Sequence, residues 1–82
     1  MNYTVYVLRS LNHNKTYVGL TSDIERRLAE HNAGRSRSTK PNRPWELIYH
    51  EEYESRDEAR KREKYLKSGS GRELLRKILN SV

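Results

Sequence analysis

Cysteine and phenylalanine are both absent from this 82-residue chain, and tryptophan and methionine occur once each. Without cysteine there is no disulfide framework and no thiolate metal site, the usual supports of small secreted folds. Hydrophobic residues make up only 33% of the chain. No window approaches the ~20 apolar residues of a membrane span, and the N-terminus enters an alternating pattern with no apolar signal core. A soluble, cytoplasmic protein is the expectation. Repeats, low-complexity segments and long linkers are missing too, which predicts one domain over residues 1–82. A chain this small buries only roughly 60% of the surface its unfolded state exposes, so its core is modest. Converging Ser, His and Asp groups, clustered glycines and closely spaced His or Cys ligands are equally lacking. That excludes serine-type triads, phosphate-binding glycine loops and zinc sites. The three histidines, His13, His31 and His50, fall in a turn, a helix and a strand without ligand spacing, and His13 and His50 read as surface or boundary residues.

What is present is positive charge. Seventeen Lys and Arg stand against eleven Asp and Glu, a net charge of +6. Such a balance favours polyanionic partners through phosphate neutralisation and counterion release, although charge alone is a weak sign of function.

The pattern of residues predicts an α+β fold of order β-β-α-β-α-α, with a three-stranded antiparallel sheet flanked by three helices. Strands are expected near 3–9, 16–20 and 46–53, and helices near 23–32, 56–68 and 71–80. Val5 and Val7 fall on one face of the first strand, Thr4, Tyr6 and Leu8 on the other, and the turn residues Asn12, His13, Asn14 and Lys15 make it a hairpin with the second. In the third strand Leu47, Tyr49 and Tyr53 are expected on one side and Ile48 on the other. Ser22 with Glu25, Ser55 with Glu58 and Ser70 with Glu73 read as capping boxes, and Gly69 as a helix stop. The last helix carries an apolar stripe, Leu74, Leu75, Ile78 and Leu79, whose most economical partner is the sheet. Between the first helix and the third strand, residues 33–44 form a loop with Arg35, Arg37, Lys40 and Arg43 and no acid.

Candidate functional residues follow from this layout. Tyr6 and Tyr17 lie on facing strands, and Arg27 sits beside the helical stripe of Ile24, Leu28 and His31. The three could converge, or could be ordinary packing aromatics and a boundary arginine. Glu63 lies four residues after Ala59 and three before Leu66, on the inward face of its helix. A carboxylate there is paired, protonated or a metal ligand, because burying it bare is costly.

Together these residues resemble the GIY-YIG nuclease superfamily, in particular its short stand-alone bacterial branch. Tyr17-Val18-Gly19 keeps the second half of the signature, while Thr4-Val5-Tyr6 keeps the tyrosine of the first half but not its glycine. Arg26-Arg27 with His31-Asn32 is similar to the family's arginine helix, and Arg43-Pro44 and the helix from Ala59 to Lys64 are similar to features of the short branch. The resemblance covers nearly the whole chain. It implies a divalent-metal-dependent endonuclease in which Tyr6, Tyr17, Arg27, His31 and Glu63 are catalytic, with Glu63 holding Mg2+ or Mn2+. Where many members carry an amide about a dozen residues after the acid, this chain has Leu74, Leu75 and Ile78.

Phosphodiester hydrolysis explains those residue types. A hard cation polarises the phosphate, the planar fork of an arginine stabilises its oxygens, and a tyrosine whose pKa is lowered by nearby positive charge accepts the proton of the attacking water. Arg26, Arg35, Arg37, Lys40 and Arg43 are expected to bind the backbone of a nucleic acid, DNA rather than RNA, with little sequence preference. The competing expectation is a catalytically weak binding module, or an adaptor docking on a DNA repair or processing assembly.

Overall fold

A computed structural model describes residues 2–80. Its elements are β1 (Tyr3–Ser10), β2 (Thr16–Thr21), α1 (Ile24–Asn32), a single 3-10 turn (Lys40–Asn42), β3 (Trp45–Tyr53), α2 (Arg56–Lys67) and α3 (Gly69–Asn80). The strands form an antiparallel sheet in the order β2-β1-β3, so β1 is central and the other two are edges. This is the α+β order expected from the sequence.

Alternation along β1 divides the interior. Val5 and Val7 point to one face, where they join Val18 and the helical residues Ala59, Leu66 and Leu75 in the larger core. Tyr6 and Leu8 point to the other, where Trp45 closes over them and Ile24 and Leu28 of α1 pack alongside. Thus α1 covers one face of the sheet and α2 the opposite one.

Three expectations are corrected. A bulge in the β1–β3 ladder, where Val7 opposes Tyr49 and Leu8 opposes Leu47, removes Ile48 from the alternation. Leu47 therefore packs with Tyr6 and Leu8, while Ile48, Tyr49 and Tyr53 all pack against the Val5 and Val7 cluster. Secondly, the caps shift: Asp23, not Ser22, accepts from the Arg26 N–H. Ser55 caps α2 as expected, but Gly69 is the first residue of α3 and Ser68, not Ser70, accepts from the Gly71 N–H at 3.2 Å. Thirdly, α3 meets α2 more extensively than the sheet, although Leu74 and Leu75 join the larger core that Val5, Val7 and Val18 contribute from the sheet. Its tight approach depends on Gly71, where a Cβ would come 1.9 Å from the Tyr65 carbonyl oxygen. Among the described residues no helix is long and apolar enough to cross a membrane.

Candidate active site

The chemistry-bearing residues gather about β2. Tyr6 pairs with Gly19 across the hairpin, and a Cβ at Gly19 would lie 2.4 Å from the Tyr6 ring and hydroxyl. The missing side chain is thus the slot in which the phenol lies. Tyr17, two residues earlier on the same face, sets its ring centroid 6.2 Å from that of Tyr6 and 5.0 Å from that of His31. Tyr6 is 1% exposed, whereas Tyr17 is only half-buried and lines an open cleft.

His31 is fully buried and joins two hydroxyls. Its Nε2 lies 2.9 Å from the Tyr6 Oη and its Nδ1 2.7 Å from the Thr39 Oγ1. The arrangement that satisfies all these groups has Thr39 donating to the Ser36 carbonyl, Nδ1 donating to Thr39, and Nε2 accepting from Tyr6. Burial, and then the charge of Arg27, hold His31 below its ordinary pKa, which keeps it a neutral acceptor. Burial also pushes Tyr6 up to about 12, with Arg27 opposing only in part. The expectation that Arg27 lowers its neighbouring tyrosine is therefore reversed in balance at Tyr6. Desolvation is the larger effect in the dry pocket under α1.

Arg27 is half-buried and pairs with Glu30 at 3.1 Å. Burial works against its charge, but Tyr6 and Glu30 outweigh it and raise its pKa. Arg26, one residue earlier, points outward with its side chain 77% exposed.

Glu63 belongs to α2, on the other face of the sheet, and approaches the tyrosines around the β2 edge. It is 8% exposed. Its Oε2 accepts from Lys67 Nζ at 3.1 Å and its Oε1 lies 3.8 Å from Arg60 Nη1. Lys67 spans the edge, its ammonium 5.9 Å from the Tyr17 ring centroid. Glu63 is also close enough that its charge contributes to raising the Tyr6 pKa, after burial and Tyr17.

The structure brings Tyr6, Tyr17 and His31 into mutual contact with Arg27 beside Tyr6, whereas Glu63 lies across the sheet and, among the described residues, is joined to Tyr17 only through Lys67. Arg35, Arg37, Lys40 and Arg43 are left exposed at the far end of α1, where none of the four bonds, pairs or stacks with those residues among the ones described. Sequence reasoning missed two participants. Thr39 sits in a polar loop that gives no sign of burial, and Lys67 is marked only by standing four residues after Glu63. His13 and His50 are exposed, as expected.

Residues 2–77 match the family described as the GIY-YIG catalytic domain. The chain belongs to the GIY-YIG family. A UPF0213 protein of Listeria welshimeri is 51% identical over 59 residues, which is 71% of this chain and 64% of that relative. A UPF0213 protein of Staphylococcus haemolyticus is 39% identical over 75 residues, 90% of each chain. This GIY-YIG domain thus spans just under two thirds of the Listeria relative but nearly all of the staphylococcal one. The solution NMR structure of a UPF0213 protein from Bacillus halodurans matches 95% of this chain and 85% of that one, at 30% identity and a TM-score of 0.58. Membership places the domain in a nuclease superfamily.

Proposed function

We propose that this GIY-YIG domain is a divalent-metal-dependent endonuclease that hydrolyses nucleic-acid phosphodiesters, DNA rather than RNA, with little sequence specificity. The observation that supports the reading is the grouping beside β2: an open tyrosine packs near a buried tyrosine–histidine pair, a half-buried arginine stands beside that pair, and a lysine links the open tyrosine to a buried carboxylate on α2.

Exposure divides the work between the tyrosines. Tyr17 opens onto the cleft and is the one whose Oη can reach and orient an attacking water. Tyr6 is closed off, held neutral by burial, and its hydroxyl is committed to His31. It serves as a positioning residue that stiffens the floor beneath Tyr17. Arg27 presents the guanidinium that stabilises the non-bridging phosphate oxygens.

The site offers a hard cation a single carboxylate, with Arg56 and Arg60 lining the same cavity. Glu63 offers a carboxylate beside a cavity of about 390 Å3 that also carries the Thr21 and Ser22 hydroxyls. One carboxylate suffices for an ion such as Mg2+ or Mn2+ that keeps most of its waters. A cation held by Glu63 would polarise the phosphate and stabilise the leaving oxygen. For this the Lys67 ammonium must release the carboxylate, and its side chain, 51% exposed, is free to turn into water.

The test is a nicking assay on duplex, branched and single-stranded substrates with and without divalent ions. Glu63→Gln is expected to lower cleavage by at least ~10²–10³-fold. Its melting temperature in chelator should be unchanged, because Lys67 and Arg60 are both more than half exposed and can rehydrate. A folded Glu63→Gln protein that cuts at the wild-type rate removes Glu63 from the metal site. One observation favours a second reading, a binding module with little turnover. Glu63 is engaged by Lys67 and Arg60, and among the described residues no three His, Asp or Glu side chains cluster as ligands. Metal-independent binding without metal-dependent cutting would select it.

A further inference from the structure

The two edges of the sheet differ in charge. Along β3 and just beyond it stand Glu46 and Glu51, paired with Arg9 and Arg62, and Glu52 and Glu54, which make no ion pair among the described residues. No residue of β2 is charged, and what lines its edge comes from α2, the hairpin turn and the start of α3. On α2, residues 56, 60, 63 and 67 recur at i, i+4, i+7 and i+11 and form one stripe facing β2. Three of the four are cations, Arg56, Arg60 and Lys67, and the one acid is Glu63. At a rise of 1.5 Å per residue the stripe is roughly 16 Å long.

Two cavities follow this stripe along β2. The lower, about 390 Å3, is lined by Arg56, Arg60 and Glu63, with Thr21 and Ser22 opposite. The upper, about 470 Å3, is lined by Tyr17, Lys67, Lys15 and Arg72. Arg60 and Lys67 have only Glu63 as an acidic partner, and Arg56, Lys15 and Arg72 make no ion pair among the described residues. Five exposed cations and one carboxylate therefore line two successive cavities that form a trough along β2, with Tyr17 in the upper one. A solvated helix face would scatter acids among its bases, as the rest of this chain does with Glu46 beside Arg9 and Glu73 beside Arg76.

We propose that the trough between the β2 edge and α2 is the seat of the nucleic-acid backbone, and that its cations, rather than those of the 33–44 loop, neutralise most of the phosphates. A duplex strand advances about 3.4 Å per nucleotide along the axis, so the stripe spans roughly five nucleotides. A strand lying there carries a phosphate past Glu63 and Tyr17 together, which the loop at the end of α1 does not do. The assignment rests on the nuclease reading for its substrate class, but its test needs no cleavage.

Binding of a fluorescent short duplex and of a single strand is measured in chelator over a range of salt. Two variants of equal charge change are compared: Lys15→Gln/Arg56→Gln/Arg72→Gln in the trough and Arg35→Gln/Arg37→Gln/Arg43→Gln in the loop. All six side chains are exposed, Glu63 keeps both partners, and thermal melts check the fold. The trough variant is expected to bind about tenfold or more weakly at moderate salt, with a logarithmic salt slope shallower by up to ~0.9 for each duplex phosphate that is no longer neutralised. The loop variant should be weakened several-fold less. A loop variant weakened as much as the trough variant, or a wild-type protein that does not bind, overturns the proposal. Failure of the nicking assay alongside trough-dependent binding leaves the trough standing and removes only the catalytic reading.

Discussion

Protonating His31 would do two kinds of damage: it would place a charge in a fully buried site and remove the acceptor that holds the Tyr6 hydroxyl. Because burial holds its folded pKa below the ordinary 6.5, the stabilisation from the neutral ring is fully present above that value and is lost as pH falls through the lower folded value. The melting temperature should therefore drop as pH is lowered from neutrality into the acid range, and His31→Leu should flatten that part of the profile. An identical slope in the variant would show that His31 is not the titrating group. Thr39→Val, which leaves Nδ1 without its partner, should cost about 1–3 kcal/mol in chemical denaturation while leaving the acid slope in place. His31 was legible from sequence because it continues the stripe of Ile24 and Leu28. Thr39 was not, since its burial depends on Trp45, whose indole Nε1 donates to the Thr39 carbonyl at 2.8 Å and seals a loop that looks polar throughout.

Among the elements, the turn from α2 to α3 is the least tolerant. A Cβ at Gly71 would meet the Tyr65 carbonyl oxygen at 1.9 Å and the Leu66 Cα at 2.5 Å, both backbone atoms that cannot swing aside. Gly71→Ala is expected to destabilise by about 1–3 kcal/mol or more through overpacking, read as a lower denaturation midpoint. Gly69→Ala is the control: nothing lies within 4 Å of its added methyl, and it should be neutral or slightly stabilising in the first turn. Equal effects at both positions would refute the steric account. The existence and order of the elements could be read from periodicity because each amphipathic segment presents an apolar face to one of two cores. The bulge at Ile48 could not. It places neighbouring residues on one face, and a strict period of 2 has no signal for the residue that breaks it. Periodicity likewise marks Glu63 as an inward-facing acid on α2 without saying which sheet edge it meets; only the family resemblance puts it with the tyrosines.

At the scale of the molecule, the acidic β3 edge is tied to α2 by one carboxylate. Glu51 accepts from Arg62 Nε at 2.8 Å, from Arg62 Nη2 at 3.0 Å and from the hydroxyls of Tyr49 and Tyr53. Burial alone would raise its pKa, but Arg62 and the two tyrosines outweigh that and hold it at about 2. Its contribution to stability is thus complete above the ordinary value of 4.5 and is lost as pH falls toward about 2. Glu51→Gln should lower the denaturation midpoint at neutral pH by the equivalent of about 2–3 kcal/mol and lose less stability than wild type across that acid window. A variant whose acid profile parallels that of the wild type would show that the knot is not the anchor.

The slot at Gly19 has a meaning for folding as well as for chemistry. Backbone hydrogen bonding alone does not fix the register of a hairpin, and a slip of one residue would turn every side chain of β2 to the other face. Opposite Tyr6, only a residue without a Cβ leaves room for the ring, and β2 has one glycine. A slipped pairing would set Val18 or Leu20 against the phenol and would expel it. The tyrosine and the glycine thus act as a key and its ward: the pair beneath the candidate site also admits a single alignment of the two strands. The register of the hairpin and the packing of the candidate site are therefore fixed by the same contact.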